Sequence, residues 1–156
     1  MLKPGHIGTG LLVYAPIAGA VIAFADILLA LAGGIIVVFT SMLPDQDHSL
    51  PFLTHRGVSH TIVAAAVVGT ITTVGVYSIV GNVEIAGFVG AVLFISYVAH
   101  LIADMLTPTG VAFLWPIKKK KYSLSVAKFD NRVANYGLLV LGIIASYLAF
   151  QVALLV

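Results

Sequence analysis

The run His100-Leu101-Ile102-Ala103-Asp104 stands near the end of an otherwise apolar stretch. An i,i+4 spacing places imidazole and carboxylate on one helical face, close enough to share a metal ion or an orienting hydrogen bond. A carboxylate inside lipid is costly and needs a partner. Thr107 continues the same face by nearly another turn. A second group, Pro44-Asp45-Gln46-Asp47-His48, follows a different apolar run. If the chain is extended there, Asp45 and Asp47 point the same way and can hold or bridge cations; a turn with an acidic cap is the plainer alternative. His48 beside them reads as a surface or supporting histidine. A third group, His55-Arg56-Gly57-Val58-Ser59-His60-Thr61, leads into the next apolar run. Ser59 can cap the helix that follows, and Gly57 lets the backbone turn sharply. A neutral His60 at a helix start avoids the penalty a cation meets there and can act as a metal ligand. The Arg56 guanidinium suits two oxygens of a phosphate or carboxylate.

With His6, these groups supply seven N/O donors: His6, Asp45, Asp47, His55, His60, His100 and Asp104. The chain has no cysteine, so neither a thiolate site nor a disulfide framework is available. Imidazole plus carboxylate suits Zn²⁺, Mn²⁺ or Fe, and the donors suffice for one or two ions. Such an ion brings the pKa of a water towards neutrality and polarises a phosphoryl or carbonyl oxygen, which makes hydrolysis the leading reaction class.

The elements that must position these groups are apolar. Of 156 residues, 60% are hydrophobic and 9% charged, too little charge to coat a water-facing surface, which excludes soluble α/β and disordered classes. Five apolar segments can be drawn, at about 9–25, 27–43, 61–80, 85–106 and 133–156. They imply an all-α polytopic membrane bundle forming one domain over residues 1–156. Only Asp26 separates the first two. As one helix, 9–43 would be about 52 Å long, far beyond the roughly 30 Å hydrocarbon core, so it forms either a hairpin of two short helices or one long helix partly outside lipid. With five crossings all eight Lys and Arg fall on one side, together with all five histidines, while Asp26 and Glu84 lie at turns on the other. That asymmetry favours five spans in an inner or plasma membrane, with the N-terminus and the histidine-rich face cytoplasmic and the C-terminus opposite. The first residues lack a signal-peptide cleavage pattern and read as part of the mature chain.

Segment 107–132 is mixed: Thr107-Pro108-Thr109-Gly110 ends the fourth span, and an apolar patch with Trp115 precedes Lys118, Lys119, Lys120 and Lys121. It reads as an interfacial loop or short helix whose basic cluster meets lipid headgroups rather than nucleic acid. Asp130-Asn131 can cap the last helix, with Asn131 the better placed.

The chain resembles the membrane-bound metal-dependent hydrolase family, whose bacterial members include an inner-membrane protein under SOS repressor control. The resemblance rests on His6, Pro44-Asp45-Gln46-Asp47-His48, His55-Arg56-Gly57-Val58-Ser59-His60, and His100-Leu101-Ile102-Ala103-Asp104 followed by Thr107 and Gly110. Gln46 and Ser59 stand where the family usually has an aliphatic residue and a threonine. A looser similarity to zinc-dependent phospholipase C lies in the order of His6, an aspartate, His60, His100 and Asp104, and implies a phosphoester substrate such as a phospholipid headgroup. On this combined basis His60, His100, Asp104 and one of Asp45 or Asp47 are expected to contact metal, with His6 on the same or a second ion. Whichever of Asp45, Asp47 or His55 stays outside is expected to take a proton or orient water. Arg56 is expected on a phosphoryl oxygen, and Lys118–Lys121 near anionic headgroups. Metal transport or metal-regulated scaffolding is the alternative class, although the donors collect at one end of the spans.

Overall fold

The computed structural model describes residues 1–49 and 56–155, with the backbone alone at positions 48 and 49. Among the described residues, five helices make an all-α polytopic membrane bundle: α1 (Lys3–Phe24), α2 (Ile27–Thr40), α3 (Ile62–Val80), α4 (Val83–Met105) and α5 (Arg132–Ala153). Two short 3₁₀ turns, Pro44–Ser49 and Val58–His60, lie between α2 and α3.

The first two spans are a helical pair, which settles the choice left open at Asp26. Asp26 adopts an extended conformation, and its carboxylate accepts the Leu29 N–H at 2.8 Å, capping α2 and breaking the run. Helix α1 begins at Lys3 rather than near residue 9 and has 22 residues, about 33 Å at 1.5 Å per residue, so it is not a short span. Pro4 lies in its first turn, where the missing N–H costs nothing.

The other boundaries have equally local causes. Thr61, not Ser59, caps α3, its hydroxyl accepting the Ala64 N–H at 3.1 Å. The helix ends at Gly81, whose φ of 70° is the left-handed position glycine tolerates. Asn82 caps α4 and Asn131 caps α5, the latter as its position before Arg132 implies.

Helix α4 is the central element, with half of its most apolar window buried against 11–28% for the other spans. The outer helices turn large apolar side chains such as Leu31, Ile71 and Leu148 outward, the pattern required of lipid-facing surface. Helices α1 and α5 approach until backbones touch: a Cβ on Gly142 would lie 2.5 Å from the Gly8 carbonyl oxygen. Such small-residue contacts carry helix association where lipid removes the hydrophobic driving force. Helix α4 runs from Asn82 to a C-terminal end facing the starts of α1 and α3, and that end carries the polar cluster.

Segment 107–131 contains no helix. An isolated antiparallel bridge joins Val111 to Tyr122, closing a hairpin whose tip holds the four lysines.

Candidate metal centre

Four donor atoms from three parts of the chain converge at the C-terminal end of α4. His100 and Asp104 come from one face of α4, Asp45 from the first 3₁₀ turn and His60 from the second, and one donor from each lies within 4.8 Å of all the others. His60 Nε2 is 3.2 Å from Asp45 Oδ1 and 3.7 Å from Asp104 Oδ2. His100 Nε2 is 3.4 Å from Asp45 Oδ1 and 3.8 Å from Asp104 Oδ2. The two Nε2 atoms are 3.4 Å apart. Tetrahedral coordination with bonds of about 2.0–2.2 Å has donor–donor edges of about 3.3–3.6 Å, so five of the six separations fall near the required length.

The surroundings fix which atoms face inward. His100 Nδ1–H donates to the Ser41 carbonyl at 2.7 Å; a carbonyl only accepts, so Nε2 presents its lone pair to the cluster. His60 turns Nδ1 to Asp47 Oδ2 at 3.3 Å and to the Ser59 hydroxyl oxygen at 3.0 Å. The Ser59 O–H itself donates to Asp47 Oδ2 at 2.6 Å. Both histidines therefore have acceptors behind them, the usual arrangement around metal-binding imidazoles.

Asp104 completes the set with an asymmetric carboxylate. Its Oδ1 receives Arg56 Nη2 at 3.0 Å and the amino nitrogen of Met1 at 2.7 Å. Its Oδ2 is buried and has no hydrogen-bond partner among the described residues. An orphaned carboxylate oxygen beside two imidazole lone pairs and a second carboxylate is stable only if a proton or a metal cation lies among them. The residues present therefore fit one divalent ion.

The other sequence candidates take distinct places. His6 stacks on His100 with ring centroids 3.9 Å apart, and its Nε2 lies 3.0 Å from the Met1 nitrogen and 3.6 Å from Asp104 Oδ1, so it borders the four-donor group without being one of its members. Asp45 and Asp47 do not share a direction, because the segment is a 3₁₀ turn and not extended; at three residues per turn, positions two apart face different sides. Asp45 faces the cluster and Asp47 the back of His60. Arg56 adopts a φ of 58° and also reaches Thr107 Oγ1 at 3.4 Å. His55 and the side chain of His48 lie outside the described residues. Lys118–Lys121 are exposed on the hairpin, and Lys120 Nζ stands 5.9 Å from the Tyr122 ring centroid.

Two supports had no signal in residue type alone. The Ser41 carbonyl is a backbone group, and Tyr97 O–H donates to the Ser59 carbonyl at 2.5 Å across 38 residues of chain. Tyr97 stands three residues before His100 on α4, so helical spacing from His100 could have singled it out.

The sequence profile of the YdjM inner membrane protein family matches residues 1–156. The chain belongs to the YdjM inner membrane protein family. Among curated relatives, "Inner membrane protein YdjM" of Escherichia coli (strain K12) and that of Shigella flexneri are each 33% identical to it over 101 residues, covering 52% of this chain. The match covers 47% of each relative, so the chain spans about half the length of the curated YdjM proteins it matches. No solved structure matches the chain. Membership of the YdjM family and five membrane-spanning helices support an inner or plasma membrane location.

Proposed function

We propose that this YdjM-family protein is a membrane-embedded, metal-dependent hydrolase acting on a phosphoester, such as a phospholipid headgroup. The observation that carries the reading is the convergence of Asp45 Oδ1, His60 Nε2, His100 Nε2 and Asp104 Oδ2 at the end of a membrane-spanning helix. In this reading those four residues hold one divalent ion, Zn²⁺ by donor chemistry and Mn²⁺ as the second choice. Such an ion supplies Lewis acidity to a phosphoryl oxygen and makes a water more acidic.

The chain's own groups then have separable tasks. Asp47 holds the orientation of His60 and, through Ser59, the turn that presents it. Arg56, held in place by Asp104 and Thr107, offers guanidinium charge beside the donors for an anionic substrate oxygen. His6 packs against His100 and approaches Asp104 Oδ1, where it can hold a proton or support a further ion. Lys118–Lys121 supply positive charge at the membrane edge, and His55 remains a candidate to orient water. The cytoplasmic orientation of this face follows from the basic residues gathered there.

The test is turnover by purified protein, with Zn²⁺ or Mn²⁺, against a panel of phospholipids and phosphomonoesters, alongside His60→Ala and Asp104→Asn. Metal-dependent hydrolysis that falls at least about a hundredfold in folded variants supports the reading. Equal turnover in wild type and variants overturns it, and metal movement into sealed vesicles without hydrolysis favours transport.

A further inference from the structure

The hairpin after α4 has a rigid base and an exposed tip. Its outgoing strand is tied to the start of α3, where the Ile62 N–H donates to the Phe113 carbonyl at 3.0 Å. Its returning strand is tied to the end of α4: the Leu124 and Val126 N–H groups donate to the Met105 and Leu106 carbonyls at 2.7 and 2.8 Å. The Ser123 hydroxyl adds a bond to the Thr107 carbonyl at 2.7 Å. The hairpin is thereby fastened to the end of α4, which presents Asp104, and to the start of α3, two residues after His60.

What it exposes is of two kinds. Lys118–Lys121 occupy the tip, and with Lys128 and Arg132 make six basic residues in 111–132 against Asp130 alone. Beside them Ile117, Leu124, Val126 and Phe129 are 80%, 63%, 70% and 57% exposed. Leu124 and Val126 flank Ser125, whose φ of 50° kinks the returning segment between them. Basic and apolar groups exposed together at the end of a membrane bundle match a layer that is anionic outside and hydrocarbon inside. A soluble phosphate compound would satisfy the lysines but not the apolar set.

We propose that this hairpin is a docking site for anionic phospholipid headgroups, the lysines pairing with lipid phosphate while Ile117, Leu124, Val126 and Phe129 enter the acyl boundary. It deepens the lipid side of the hydrolase reading by placing a headgroup-enriched patch next to the end of α4, which bears His100 and Asp104. Docking itself requires no turnover, so it is measured without it. Trp115, the single tryptophan of the chain, stands in the hairpin and reports on its neighbours.

The experiment reconstitutes the full chain in bilayers of phosphatidylcholine with a minority of phosphatidylglycerol, placing brominated acyl chains on one lipid at a time. At equal labelled fraction, brominated phosphatidylglycerol is expected to quench Trp115 at least about twice as strongly, with the excess removed in the K118Q/K119Q/K120Q/K121Q variant and reduced by high salt. Equal quenching by the two lipids overturns the proposal, as does an excess that survives the four substitutions. If the variant fails to reconstitute, the salt titration of the wild type decides, and an excess indifferent to salt overturns it. Loss of hydrolysis with the lipid preference intact would fault the hydrolase reading alone.

Discussion

Asp104 divides its oxygens between two tasks: Oδ1 faces Arg56 and the Met1 nitrogen, and Oδ2 faces the imidazoles of His60 and His100. Cations on the first oxygen offset the cost of burying the charge and leave the second available as a donor. Asp104→Asn removes that charge and puts an N–H₂ either against the cations or into the donor group. Metal analysis of the purified variant should show bound Zn²⁺ reduced from about one ion per chain to a trace. Asp47 is a subtler case, because it touches His60 from behind and contributes no atom to the four-donor group. Asp47→Asn is expected to weaken metal affinity by about 10- to 100-fold while leaving the helices intact, measured by competition with a chelating dye. Unchanged affinity would mean that Ser59 and the surrounding packing suffice to orient the ring.

Helix packing carries a prediction of its own, since Gly8 lies against the backbone of Leu138 and Gly75 faces open space. Gly8→Ala drives a methyl group into the backbone of α5 and should lower stability by about 1–3 kcal/mol, read as a lower melting temperature in detergent. Gly75→Ala meets nothing within 4 Å and should leave melting nearly unchanged. The same glycines explain what sequence reading could and could not supply. The break at Asp26, the Asn131 cap and the His100–Asp104 pair are local patterns, legible from spacing and side-chain chemistry. The early start of α1 is not, because Gly5, Gly8 and Gly10 are poor helix formers in isolation and dilute the apolar signal. Tertiary packing reverses that preference by using the missing side chains of Gly5 and Gly8 to bring α1 against α5, and that of Gly10 to bring it against Val37 of α2. The separate directions of Asp45 and Asp47 were hidden for a related reason, since extended and 3₁₀ backbones give opposite answers from identical residues.

Across the whole molecule, five successive crossings place the start of α1, the two 3₁₀ turns and the lysine hairpin at one end of the bundle, and the α1–α2 and α3–α4 turns at the other. All eight Lys and Arg lie in segments belonging to the first end, whereas Asp26 and Glu84 mark the second. Insertion follows the Lys and Arg bias of short loops, so the four-donor end is expected to face the cytoplasm. The absence of cysteine makes the assignment directly measurable with single introduced thiols. Ala25→Cys, in the exposed α1–α2 turn, should react with a membrane-impermeant maleimide added outside spheroplasts. Lys119→Cys, at the hairpin tip, should react only after the membrane is opened. The reverse labelling pattern would put the donor cluster on the outer face, where it would meet outer-leaflet lipid and extracytoplasmic metal. Labelling of both sites from outside would contradict the five-crossing arrangement itself, because three spans, α2, α3 and α4, separate those two positions and must leave them on opposite sides.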